Sequence, residues 1–202
     1  MRIFGEAPAF GVCSPHLELG WAMKHLRIGA LLLVAVTPAF AQQAKEAAPA
    51  ASDPVVSAVR QMYDRYAKNL IGAADKMPAD KYGYRPTPEQ MTFAHLMTHV
   101  AEANNGLCAF IAGQQPQESK LSESDPKDKL AAAVKDSFTY CNQVLSKADD
   151  SNLGEKVTLS GGQTGTRAAL LVRLVAGWAD HYSAAAMYLR LNGLLPPSAE
   201  KK

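Results

Sequence analysis

Hydrophobic residues recur every three or four positions in four segments of the chain, which is the spacing of one face of an α-helix. The first segment begins at Asp53-Pro54 and ends near residues 75–78, and the second runs from about Thr92 to residues 112–113. The third runs from Asp125-Pro126 to about Lys147, and the fourth runs from Arg167 to Leu191. Four helices of about 20 residues without a credible pair of strands predict an all-α protein, a four-helix bundle.

Local signals support the ends of these helices. An Asp before a Pro opens the first and third segments, a pairing that favours a helix start. Asn192-Gly193 followed by Pro196-Pro197 ends the fourth. The connections at 78–90 and 149–166 are long, so a crossover topology is compatible with the pattern, and residues 157–159 could be briefly extended.

The first 52 residues lack this pattern. Residues 23–27 are basic, residues 28–36 are apolar, and Pro38-Ala39-Phe40-Ala41 ends in small residues, which together predict a signal peptide over 23–41. Cleavage after Ala41 would deliver the protein to the periplasm or the medium; a buried helix or a short anchor is the alternative. Residues 1–22 resemble no part of a signal, so Met23 is expected to be the true start. Residues 42–52 are predicted to be a flexible leader, and residues 53–198 the bundle domain.

Composition limits the classes of partner. The 202 residues carry a formal net charge of +2 and are 48% hydrophobic, which suits one globular domain. This balance gives no electrostatic case for binding nucleic acid. No apolar run reaches the roughly 20 residues of a membrane span, so no membrane association is expected after signal cleavage.

Two cysteines remain once the leader is removed, Cys108 and Cys141. An even number in an exported chain favours a disulfide between them. Two separate buried thiols are the alternative.

Three histidines remain in the same part of the chain, and they are the candidate metal ligands. His95 and His99 lie four residues apart on the second helix, and His181 lies in the middle of the fourth. Facing helices of a bundle can bring such side chains together around zinc, nickel, copper or iron. Each also has an ordinary explanation. His99 borders the apolar stripe, and His95 follows Thr92 by three residues, a position typical of a helix start. His181 has small neighbours at 177, 184 and 185, which leave space that another side chain could fill.

The segments RPTPEQMTFAHLMTHVAEANNGLC (85–108) and DHYSAAAMYLRLNGLLPP (180–197) resemble the DinB-like bundle superfamily, most closely its exported members with two cysteines. The resemblance covers about residues 53–198. It implies helices in an up-down-down-up order and a zinc or nickel centre held by three histidines, one on the second helix and an HxxxH pair on the fourth. It further implies relatives that are thiol-dependent isomerases, S-transferases or metal-dependent hydrolases, and a possible homodimer.

Transferred onto this sequence, the resemblance assigns His99 and His181 as ligands, but the third position holds Gly177. His95 could replace the missing imidazole, Glu102 could supply an oxygen, or no metal binds and a small pocket remains beside His181. The main expectation is a metal-free binding or structural module with an unknown small-molecule ligand. The alternative is a divalent-metal-dependent hydrolase or thiol S-transferase-like enzyme that uses His99, His181 and His95. The sequence assigns no catalytic residue.

Overall fold

The computed structural model describes residues 52–200. The predicted signal peptide at 23–41, the cleavage site after Ala41, the early start at 1–22 and nearly all of the leader at 42–52 lie outside the described residues. Within 52–200, no helix combines the length and the apolar character that a membrane crossing requires.

The four predicted helices are confirmed, within two residues at most ends. They are α1 (Pro54–Lys76), α2 (Phe93–Ile111), α3 (Lys127–Leu145) and α4 (Arg167–Leu191). Single 3-10 turns lie at Ala79–Lys81, Asp150–Asn152, Ser160–Gly162 and Pro197–Ala199.

Contacts between side chains define the direction of each helix. Arg60 contacts Leu145 while Lys127 contacts Asp75, so α1 and α3 are antiparallel. Asn104 contacts Ser137 and Cys108 contacts Cys141, so α2 and α3 are parallel.

Helix α4 runs against α2, since Met91 meets Tyr188, His99 meets His181 and Asn104 meets Trp178. These pairings give the up-down-down-up order that the resemblance implied.

Aromatic side chains from three helices form the centre of the core. Tyr63 of α1, Phe138 of α3 and Trp178 of α4 lie with ring centroids 5.8–6.0 Å apart. Phe138 and Trp178 are almost fully buried, and burial of such a side chain contributes about 1.5–3 kcal/mol. Trp178 lies three residues before His181 on α4, so this aromatic layer lies close to the level of that histidine.

The start of α1 is capped differently from the sequence prediction. Asp53 occupies the cap position, but its side chain does not bond to the first turn. Instead Asp150 accepts hydrogen bonds from the amides of Val55 and Val56 at 2.8 and 2.9 Å. Asp53 in turn accepts from the amide of Asp150 at 3.0 Å. The cap therefore comes from a residue nearly 100 positions away, which local sequence cannot reveal.

The expectation of no strand pair was wrong. Strands β1 (Lys156–Thr158) and β2 (Thr164–Thr166) form an antiparallel pair between α3 and α4. Gly161 and Gly162 in the connecting turn have φ values of 74° and 77°, which glycine adopts without strain. The strands have three residues each, too few for an alternating pattern to be detectable in the sequence.

The two cysteines form the predicted disulfide. Cys108 of α2 and Cys141 of α3 are buried, their Cα atoms are 5.4 Å apart, and 33 residues separate them along the chain. The bond links the two parallel helices, whose long connection does not itself hold them side by side.

Reducing this disulfide should destabilise the bundle. A closed loop of this length corresponds to roughly 4 kcal/mol in the chain-entropy model, so we expect the urea midpoint to fall when a reductant is added. The Cys108→Ala/Cys141→Ala double variant is the control and should not respond to reductant. Equal midpoints for the oxidised protein and a protein shown by thiol titration to be fully reduced would contradict the prediction.

Candidate functional site

The candidate site is a groove of about 520 Å³ between α2 and α4. His99, Ala103 and Gly106 line it from α2, and Arg173, Gly177 and His181 line it from α4. The antiparallel packing of α2 on α4 brings these residues, which are far apart in the chain, to opposite sides of one groove.

His99 and His181 meet at one end of the groove, as the resemblance implied. Their ring centroids lie 4.9 Å apart and the rings are nearly perpendicular, at 81°. His99 is exposed, whereas the His181 side chain is 18% accessible. Among the hydrogen bonds within residues 52–200, none involves either ring, although the Asp180 carboxylate lies 3.7 Å from His181 Nδ1.

His181 is held toward its neutral form. Burial is the largest cause that lowers its pKa below 6.5, and the neighbouring His99 adds to this effect. Asp180 opposes them, because its carboxylate Oδ2 lies 3.7 Å from His181 Nδ1. Neighbouring helical residues point about 100° apart, so Asp180 was expected to point away from His181, yet its carboxylate reaches the ring.

The other two potential ligands lie elsewhere. The half-exposed ring of His95 contacts the Glu123 carboxylate, with Nδ1 3.1 Å from Oε2, and its backbone amide donates to Thr92 Oγ1. Glu102 lines a separate cavity beneath the segment that connects α2 to α3.

The residues present therefore do not fit the three-ligand centre that the family resemblance implies. Across the described part of the chain, no group of three or more His, Cys, Asp or Glu side chains is arranged to hold a metal ion. At the third position, a Cβ built on Gly177 would lie 3.7 Å from His181 Nε2. The glycine leaves this nitrogen uncovered, beside the space that a third imidazole would fill.

A buried hydrogen-bond network forms the floor of the groove. Trp178 Nε1 donates to Asn104 Oδ1 at 2.7 Å, Asn104 Nδ2 donates to Ser137 Oγ at 3.1 Å, and Ser137 donates to the Val134 carbonyl. Each of these polar groups is satisfied, as buried polar groups need to be. Asn104 was not predicted as part of the site, although a polar residue four positions after Val100 in an apolar stripe is a detectable signal.

The up-down-down-up helix order and the meeting of His99 with His181 are both what the resemblance to DinB-like proteins implies. A family model of the DinB superfamily matches residues 62–184, which is more than half of the 202-residue chain. The protein belongs to this superfamily.

Solved structures agree with this fold. The chain is similar to a DinB-like protein from Bacillus cereus ATCC 10987, with a TM-score of 0.59 and 14% identity over 70% of this chain and 95% of that one. A DinB-like protein (YjoA) from Bacillus subtilis gives a TM-score of 0.55 and 19% identity over 70% and 99%.

A mycothiol-dependent maleylpyruvate isomerase gives a TM-score of 0.53 and 13% identity over 63% and 59%. No curated protein matched the chain. At these identities the similarities establish the fold alone.

Acid should destabilise the fold through His181. Because its pKa is lowered in the folded state, the unfolded chain takes up the proton first as the pH falls. The stability is fully present above the unfolded value of about 6.5 and is lost as the pH falls below it. We expect the free energy of unfolding to drop less between about pH 8 and pH 5 in His181→Gln than in the parent protein. Parallel pH profiles for the two proteins would contradict this assignment.

Proposed function

We propose that this protein is a small-molecule-binding member of the DinB superfamily whose ligand occupies the α2–α4 groove without a resident metal ion. The observation that carries the proposal is the pair of free imidazoles that meets in the groove with glycine at the third ligand position. Two convergent polar groups in an apolar depression are typical of a ligand site.

The groove also has the rigid base that a binding site needs. Leu174 and Trp178 are buried beneath it, and the hydrogen bond from Trp178 to Asn104 holds the two walls together. A ligand would therefore enter a depression that is already formed.

The alternative is a divalent-metal-dependent hydrolase or a thiol S-transferase-like enzyme. The fold shared with a protein described as a mycothiol-dependent maleylpyruvate isomerase favours it. In that case His99 and His181 would need a third ligand, with His95 as the substitute. The contact of His95 with Glu123 argues against this use, since the ring would have to leave its partner.

Export to the periplasm or the medium is also part of the proposal. The buried disulfide between Cys108 and Cys141 supports it, because such bonds persist in oxidising compartments.

Adding metal distinguishes the metal-free proposal from the metal-dependent alternative. Zinc or nickel, followed by a chelator, should leave the Tm of the parent protein unchanged. The Gly177→His variant should gain a metal-dependent rise of about 5–10 °C at a metal concentration about 100 times its Kd. His95→Ala added to that variant is the control and should preserve the rise.

Two results would contradict the metal-free proposal or its geometry. Stoichiometric metal in the parent protein that is lost in His99→Ala or His95→Ala would establish the metal centre that the enzyme-like alternative requires. A folded Gly177→His variant with no affinity for either metal would show that position 177 is not the missing ligand position.

Small-molecule binding is tested by a fragment screen with uncharged, anionic and cationic members. Bound fragments should shift the NMR signals of the Trp178 indole and the His99 and His181 rings. Gly177→Leu, which fills the space beside His181, should abolish these shifts, whereas Ala132→Leu on the exposed face of α3 should preserve them. A screen in which no fragment shifts these signals would overturn the proposed function.

A further inference from the structure

The groove between α2 and α4 has different chemistry at its two ends. The imidazoles of His99 and His181 lie at one end, and Arg173 lies toward the other beside Leu107. Arg173 and His181 are eight residues apart on the same helix, which separates their Cα atoms by about 12 Å along the axis. A ligand that contacts both ends must therefore be elongated.

The charges at the two ends are opposite. Arg173 is exposed and forms no ion pair with any residue between 52 and 200, and a guanidinium stays protonated at all physiological pH values. At the histidine end, the Asp180 carboxylate lies beside His181. This arrangement attracts an anionic group to the Arg173 end and repels one from the histidine end.

Between its two ends, the groove is lined by a glycine on each helix, so no side chain narrows it there. Gly106 of α2 and Gly177 of α4 both line the groove, and neither has the positive φ that would require glycine. A Cβ on Gly106 would meet nothing within 4 Å, and a Cβ on Gly177 would meet only His181 Nε2. Glycine inside a helix is less stable than alanine, and neither packing nor backbone geometry demands it here. Gly106 and Gly177 therefore leave an open trough between the two ends of the groove, where a ligand can approach the backbones of both helices.

We propose that the ligand is an elongated organic monoanion, with its anionic group at Arg173, an apolar body along the trough between Gly106 and Gly177, and an uncharged hydrogen-bonding group at the two imidazoles. This inference rests on the proposed function and specifies the ligand class of the same groove. The buried Leu174 and Trp178 provide the apolar surface under the body of the ligand. The free ring nitrogens supply a donor and an acceptor for a hydroxyl or carbonyl at the far end.

Three probes of equal length test the charge pattern: 8-hydroxyoctanoate, 1,8-octanediol and octanedioate. By calorimetry we expect 8-hydroxyoctanoate to bind at least about tenfold more tightly than the diol, which is the effect of one charged hydrogen bond. Octanedioate should also bind more weakly, because its second carboxylate would face Asp180. Asp180→Asn should reduce the difference between the two acids.

Variants of two α4 arginines test whether Arg173 is the residue that binds the anionic group. Arg173→Gln should remove the preference for 8-hydroxyoctanoate over the diol. Arg190→Gln is the matched control, since Arg190 is an exposed arginine of the same helix outside the groove, and it should retain the preference.

Equal affinity for the hydroxy acid and the diol, or an unchanged preference in Arg173→Gln, would overturn the proposal. So would the absence of measurable binding of 8-hydroxyoctanoate. Uncharged fragments that still bound in the groove would then preserve the proposed function while the anionic class failed.

The trough is tested by Gly106→Ala, which separates binding from stability. Its Tm should stay equal to that of the parent protein or rise, while the affinity for 8-hydroxyoctanoate should fall by at least about fivefold, because the added methyl group raises the wall without meeting a neighbour. A variant with unchanged affinity would show that the ligand does not pass Gly106 and would contradict the proposed pose.

Discussion

The geometry of the groove depends on the buried amide of Asn104. This side chain accepts from Trp178 of α4 and donates to Ser137 of α3, so that one residue of α2 is bonded to two other helices. An unpaired buried amide or indole N–H costs roughly 1–3 kcal/mol, so a shift of α4 along α2 would be unfavourable. The register fixed in this way places His99, five residues before Asn104, against His181, three residues after Trp178. The meeting of the two imidazoles is thus a consequence of a polar contact deeper in the core.

The sequence predicted the helices well because their information is local. The apolar spacing, the Asn192-Gly193 stop and Thr92 at the start of α2 each act within a few residues, and each matches the structure. The pairing of His99 with His181 came from the family resemblance, since spacing alone does not set the rotation of one helix against another. The features that were missed depend on contacts between distant positions. Asp150 caps α1 from the far side of the domain, and Arg173 becomes part of a site only through the antiparallel packing of α4 on α2.

The missing third imidazole changes the chemistry of the two that remain. A bound cation would occupy the ring nitrogens, whereas under the metal-free proposal they are left to the ligand. Burial and the neighbouring ring keep the pKa of His181 below its usual value, so near neutral pH the ring is an uncharged donor and acceptor. Such a group recognises hydroxyl and carbonyl oxygens and does not provide the positive charge of a metal centre. The nearest fixed positive charge in the groove is that of Arg173.

Glycine at 106 and 177 has a thermodynamic cost that must be offset elsewhere in the bundle. Each residue lowers helix stability by roughly 0.5–1 kcal/mol relative to alanine. The disulfide between α2 and α3 and the aromatic layer around Trp178 together exceed this cost by several kcal/mol. These stabilising elements lie below and beside the groove, and the glycines lie on its walls. The less stable, open surface therefore lies over a rigid base. Ligand-binding regions are commonly drawn from the less stable parts of a fold.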